Sequence, residues 1–258
     1  MTAANVFVLL SGAEQTRKIR MGCTNPIRDY YEDCGMFEGV DNIDWESFGK
    51  THIAVGMPTR KIPDCIHNML NENQKNREYA IAGLLGEGQH LGMLSEATPS
   101  IIPFVLEALA LPDYAERSYL IMGLALMFDD MFQSQVFNRL RLEIRVYDEI
   151  KKGYPVYKRL LSDSDRWTRL QAAQIMGYMQ DDFADALSTL IARLPVEADT
   201  DTRTEIISAI LKLSTTNNFF YSVEGKRATG ELYKYLSING SVNEKLQLAY
   251  AMNETPFR

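Results

Sequence analysis

The residues of this 258-residue chain that could do chemistry are three cysteines, three histidines, several paired aspartates, a basic run and an aromatic run. Metal binding is tested first. Cys65-Ile66-His67 places two ligand types two positions apart, and on a helix these point to different faces. Cys23 and Cys34 are separated by ten residues, outside the two-to-four spacing of zinc knuckles. Nucleophilic chemistry has no better footing. The chain lacks a Gly-x-Ser-x-Gly elbow, a phosphate-binding glycine loop and a His-Glu-x-x-His run. His52 and His90 could meet with Cys34 as a nucleophile, but a histidine that ties a turn to a backbone carbonyl is the simpler expectation. No catalytic residue, cofactor or metal ligand is therefore assigned.

The charged and aromatic clusters suggest binding instead. Asp129-Asp130 and Asp181-Asp182 are expected just after helices, and Glu197, Asp199 and Asp201 gather in a following loop. Carboxylates at a helix C-terminus oppose its dipole, so an acidic edge kept there would suit a basic partner. The plainer reading is that they begin the next helix, where negative charge is favourable and capping is useful. Arg139, Arg141, Arg145, Lys151 and Lys152 are interleaved with Glu143, Asp148 and Glu149. Such mixing reads as a solvated helix laced with ion pairs, not as a nucleic-acid groove. Asn217-Asn218-Phe219-Phe220-Tyr221 could be either a partner anchor or core. The candidate partner-binding residues are thus Asp129, Asp130, Asp181, Asp182, Glu197, Asp199, Asp201, Phe219, Phe220 and Tyr221.

Those groups sit on a repeating pattern. Arg77, Arg117, Arg169, Arg203 and Lys245 form one column. Three residues on stand Ala80, Leu120, Ala172, Ile206 and Leu248; four on, Ile81, Ile121, Ala173, Ile207 and Ala249; seven on, Leu84, Leu124, Met176, Ile210 and Met252. These offsets put one apolar stripe on each of five helices. Four residues before the column come Asn73, Asp113, Asp165, Asp199 and Ser241, all suited to cap a helix N-terminus.

An amphipathic segment precedes each of these helices. The first carries Ile62, Cys65, Ile66, Met69 and Leu70 with Pro63 in its opening turn, and the second begins at Thr98-Pro99 with Ile102, Val105, Leu106 and Leu109. The third is longer, with Val136, Leu140, Ile144 and Tyr147 marking a helix that ends near Gly153, then an extra turn at Tyr157, Leu160 and Leu161. The fourth holds Phe183, Leu187, Leu190, Ile191 and Leu194, and the fifth Leu232, Tyr235 and Leu236. Column residues are 40, 52, 34 and 42 positions apart, around the ~40–47 of a HEAT-type helical pair. One hairpin cannot bury both its apolar faces, so stacked hairpins are expected. The expected fold is all-α, an α-solenoid of about five HEAT-like hairpins over residues 62–254, with residues 1–61 as a partly irregular N-terminal cap. A helix is expected within Asn5 to Met21, after which Gly22, Pro26, Gly35, Gly39, Gly49 and Gly56-Met57-Pro58 break the chain.

Composition narrows the classes. Hydrophobic residues at 46% and charged residues at 24% exclude a wholly disordered chain. A net charge of −7 argues against a protein that holds nucleic acid mainly by its phosphates. Three cysteines make no disulfide framework and suit a reducing compartment. The run Val6 to Leu10 is short for an export signal and no basic residue precedes it, so a cytoplasmic protein without a membrane span is expected.

Arg169-Leu170-Gln171-Ala172-Ala173-Gln174-Ile175-Met176-Gly177 resembles the second helix of a HEAT repeat. The stretch Asp44 to Leu109 resembles a group of bacterial HEAT-repeat-like proteins, through Asp44-Trp45, His52 followed by Gly56, Ile62-Pro63, Gln89-His90-Leu91-Gly92, Ala97-Thr98 and Pro103-Phe104. Members typically carry His-Gln-Gly where this chain has Gln89-His90-Leu91-Gly92, a departure at that turn. The resemblance implies a scaffold that binds another protein, and some helical-repeat relatives serve as immunity proteins beside bacterial toxins. It also leaves open an alkylpurine DNA glycosylase of the HEAT-like type, with the arginine column lining a groove, and, in reserve, a chromophore lyase. The expected function is a non-enzymatic scaffold, most concretely an immunity protein that blocks a basic, nuclease-type toxin.

Overall fold

The computed structural model describes residues 36–49, 58–85, 94–133, 141–216, 223–241 and 244–245. Among them it has ten α-helices and no strand. These are α1 (Ile62–Asn68), α2 (Gln74–Leu85), α3 (Thr98–Ala110), α4 (Arg117–Gln133), α5 (Arg141–Lys151), α6 (Tyr154–Leu160), α7 (Arg166–Met176), α8 (Phe183–Arg193), α9 (Thr200–Thr216) and α10 (Val223–Asn239). The apolar offsets account for the packing: on α2, α4, α7 and α9 the residues three, four and seven past the column arginine are all buried. Each of these helices packs on the one before it in sequence, α2 on α1, α4 on α3, α7 on α6 and α9 on α8. They also pack on each other in order, α2 on α4, α4 on α7 and α7 on α9. A second row is made by α1 on α3, α3 on α5 and α6, and α8 on α10.

Helix starts follow the expected caps at four of five places. Asn73 Oδ1 accepts the Lys75 amide, Asp165 the Thr168 amide and Asp199 the Thr202 amide, each at 2.9 Å. Ser241 accepts the Glu244 amide while the Glu244 carboxylate takes the Ser241 amide at 2.6 Å, a reciprocal capping box. Asp113 is the exception. The buried Tyr114 donates to the Met69 carbonyl at 2.8 Å and holds the turn, so α4 begins only at Arg117 with the Glu116 carbonyl accepting the first amides. Removing a cap of this kind costs about 1 kcal/mol, so Asp165→Ala should lower the unfolding free energy by about that amount in urea denaturation.

Two further details depart from the pattern. Ile144 is exposed, and the buried face of α5 runs through Val146 and Ile150 instead. The close approach of α7 to α9 depends on Gly177, where an added methyl would meet the Ala209 backbone at 2.9 Å. Val136, Leu140, the Asn5–Met21 segment, and the Leu248, Ala249 and Met252 positions lie outside the described residues.

The described part of the N-terminal segment lies on the first helices. Phe37, Val40 and Trp45 are buried in the same core. The Phe37 ring meets Phe104 of α3 edge-on at 6.1 Å, and the Phe37 amide donates to the Glu107 carboxylate at 2.8 Å. Trp45 donates its indole N–H to the Val40 carbonyl at 2.7 Å, so its polar edge is satisfied inside.

Candidate functional site

The arginine column turns inward. Arg77 grips Glu116 through two bonds of 2.6 Å and donates to the Asn71 and Glu72 carbonyls. Arg117 pairs with Asp163 and donates to the Leu111 and Pro112 carbonyls. Arg169 holds Glu197 at 2.8 and 2.9 Å and donates to the Asp163 and Ser164 carbonyls. Arg203 holds Glu244 at 2.9 Å and donates to the Leu194 carbonyl. Each guanidinium thus closes the turn before its own helix and reaches a carboxylate beside the next hairpin. The Glu116, Glu197 and Glu244 side chains are buried, and Asp163 is nearly so. A bidentate fork suits this double duty, which a lysine could not match. These four arginines are engaged within the fold and do not line a groove for phosphates.

Beside this ladder lies a mixed polar cluster carried by three neighbouring helices. Asp129 comes from α4, Gln174 from α7, Tyr178 from the turn after it, and Glu205 and Lys212 from α9. Asp129 accepts from the Gln174 amide and the Tyr178 hydroxyl. The Lys212 ammonium donates to the Tyr178 hydroxyl at 3.1 Å, lies 4.5 Å from that ring's centre, and stands 3.7 Å from Asp129 and 3.9 Å from Glu205. Phe128 stacks on Tyr178 at 5.3 Å and Tyr147 meets Phe128 edge-on, so an apolar floor fixes the phenol. Burial and the Asp129 charge push the Tyr178 hydroxyl well above its ordinary range, keeping it a neutral donor. Asp129, Glu205 and Lys212 remain between a fifth and a third exposed and can be reached from solvent.

Glu205 is the unusual member. Burial pushes its carboxyl up to about 7; Lys212 opposes that and Asp129 adds to it. A raised folded-state pKa means the protonated form is favoured in the fold. Stability from this group is full below the ordinary value of 4.5 and declines as pH rises to about 7. Glu205→Gln should therefore gain stability over the wild type at pH 8 and lose that advantage at pH 4, as read from urea midpoints.

The acidic candidates separate. Glu197, with a side chain 1% exposed, belongs to the ladder, and this burial removes it from any contact surface. Asp199 caps α9 and lies 3.4 Å from Arg166. Asp129 sits within α4, which continues to Gln133, so it does not follow the helix as expected. Asp181 pairs with Lys151 at 2.9 Å, Asp201 stands 3.8 Å from Arg166, and both are mostly exposed. Asp182 is exposed at the N-terminus of α8 but makes no side-chain bond to its amides. The Asp130 side chain and Phe219, Phe220 and Tyr221 lie outside the described residues, as do His52, His90, Cys23 and Cys34. Cys65 is buried, and burial pushes its thiol up to about 11, unsuited to nucleophilic work. Among the described residues no group of three or more His, Cys, Asp or Glu side chains could hold a metal ion, and no helix is long and apolar enough to cross a membrane.

Sequence reasoning missed Gln174, Tyr178, Glu205 and Lys212. The register carried a signal: Glu205 stands two residues past its column arginine, and Tyr178 and Lys212 nine past theirs. These offsets fall beside the apolar stripe, at its solvent edge. No family model matches the chain, and no curated protein matches it in sequence.

Proposed function

We propose that the two rows of helices form an α-solenoid of about five HEAT-like hairpins, serving in the cytoplasm as a non-enzymatic protein-binding scaffold. In its most concrete form it is a bacterial immunity protein that seats a basic, nuclease-type toxin and blocks it. The observation carrying this reading is a pair of aromatic side chains left in solvent. Tyr79 on α2 and Tyr119 on α4 occupy the same register, two past the column arginine, and are 70% and 39% exposed. Tyrosine in such positions anchors protein partners well, having a large contact area and few rotatable bonds. The net charge of −7 favours encounter with a basic partner. The internal engagement of the arginine column weakens the glycosylase alternative, which needs those cations for phosphates.

The test is affinity capture of the full chain from its native cells, followed by light scattering and nuclease inhibition with the purified pair. A stable complex with a basic protein whose activity is lost on binding is the expected result. Absence of any stoichiometric protein partner, or salt-dependent DNA binding by the chain alone, would overturn the reading.

A further inference from the structure

Among the described residues, an exposed aromatic side chain stands on each of three consecutive helices of the arginine column. Tyr79 on α2 and Tyr119 on α4 lie two residues past their column arginines, and Trp167 on α7 lies two before Arg169. Two before and two past are one helical turn apart, so the three share one face, with Trp167 a turn nearer its helix start. Trp167 is 42% exposed, and the Arg166 guanidinium lies 4.6 Å from its ring centre. Because α2 packs on α4 and α4 on α7, the rings form a row stepped by the separation of neighbouring helices, about 8–10 Å. Charge lies beside the row. The turns that open α2, α4, α7 and α9 carry four exposed carboxylates, Glu72, Asp113, Asp165 and Asp201, against two exposed cations, Lys75 and Arg166. Arg166 is itself 3.4 Å from Asp199 and 3.8 Å from Asp201. The rim is acidic, opposite in sign to a basic partner.

We propose that the row of Tyr79, Tyr119 and Trp167, with its acidic rim, seats an extended basic segment of the partner in polyproline II form, carrying proline at every third position and arginine or lysine between. The inference rests on the binding-scaffold reading and names what that scaffold takes hold of. A polyproline II chain has three residues per turn and advances about 9 Å per turn, close to one step of the row. Every third side chain therefore faces the same way and meets successive rings. A β-strand turns its side chains over at each residue, so every third one would point to alternate sides. The polyproline II backbone also leaves its carbonyls unpaired, and the two phenol hydroxyls and the indole N–H are donors suited to them. Basic side chains on the remaining faces of such a segment meet the rim carboxylates, and their charge speeds the encounter.

The test titrates the full chain with two peptides of equal length and charge, one of four Pro-Pro-Arg repeats and one of four Gly-Ser-Arg repeats. The proline peptide should bind roughly tenfold more tightly by calorimetry, and should change the tryptophan emission, to which exposed Trp167 responds and buried Trp45 does not. Trp167→Ala should weaken that binding roughly tenfold, whereas Ile238→Ala, at an exposed position on α10 outside the row, should bind as the wild type does. Circular dichroism verifies that both variants keep the fold. Equal affinity for the two peptides, no loss in Trp167→Ala, or equal loss in Ile238→Ala overturns the proposal. So does a dimer of the free chain that Trp167→Ala dissolves, since the row would then belong to a second copy. The two readings fail separately. A basic protein captured equally well by Trp167→Ala keeps the scaffold and removes this face; tight binding of the proline peptide with no protein partner in cells keeps the face and removes the scaffold.

Discussion

Arg169→Met is expected to lower the unfolding free energy by about 3 kcal/mol at neutral pH, the largest loss among single substitutions in the ladder. Methionine retains much of the arginine stem's packing, so the loss reports on the guanidinium. What it leaves behind is a Glu197 carboxylate almost wholly out of water, with Arg193 at 2.8 Å as its remaining cation. The turn also loses the bonds to the Asp163 and Ser164 carbonyls. The acid limb sharpens the test. Burial pushes the Glu197 carboxyl up, but Arg169, Arg193 and the Asp199 amide outweigh it and bring it down to about 2. A depressed folded-state pKa gives stability that is present above the ordinary 4.5 and lost as pH falls toward 2. In Arg169→Met that window narrows and acid unfolding begins at higher pH. Urea denaturation at pH 7 and an acid titration followed by circular dichroism check both. A loss below about 1 kcal/mol with an unchanged acid limb would mean that packing alone sets the hairpin spacing.

The regular part of this structure was legible because it obeys a helical period. The stripe at Ala80, Ile81 and Leu84 and its counterparts point to five helices, of which the four within the described residues are buried along that stripe, and Asn73, Asp165, Asp199 and Ser241 mark where helices start. Asp113 failed as a cap because a tertiary bond from Tyr114 to Met69 fixed its turn, and no local pattern reports such a bond. The ladder was half legible. Asp163 and Glu197 each stand six residues before a column arginine and each accept the amide of the cap two residues on, at 2.9 and 3.0 Å. That acidic-x-cap spacing distinguishes them from surface carboxylates. Glu197 was grouped with Asp199 and Asp201 as an acidic edge, yet it is the innermost of the three. The polar cluster was hidden for another reason. Its members come from three helices, so their meeting depends on how α4, α7 and α9 pack and not on spacing in any one of them.

Sign and placement of charge together explain how an acidic chain can carry a regular column of arginines. Every column arginine of the described residues has a carboxylate partner, so the column contributes little positive field at the surface. Exposed carboxylates such as Asp181, Asp182 and Asp201 then set the outer character. Charge at the arginine rungs ties each column helix to the one after it, through pairs such as Arg77 with Glu116 and Arg169 with Glu197.

Phe128→Ala is expected to cost about 3–5 kcal/mol, because a wholly buried aromatic ring is removed from between α4, α5 and the end of α7. Its consequence reaches further than the cavity. Phe128 is the surface on which Tyr178 lies flat, with the two rings within 8° of parallel. The Tyr178 hydroxyl depends on that placement to donate to Asp129 and to receive Lys212. With the floor gone, the phenol can tilt into the space, Asp129 loses a donor, and Lys212 loses both the hydroxyl and the ring face. Tyr178→Phe separates the two effects, since it keeps the stack and removes only the hydroxyl. That variant should lose about 1–3 kcal/mol, the cost of leaving a half-buried carboxylate short of a donor. Urea denaturation ranks the pair. If Phe128→Ala lost no more stability than Tyr178→Phe, the ring would not be the foundation of the cluster, and the hydrogen bonds alone would hold Tyr178 in place.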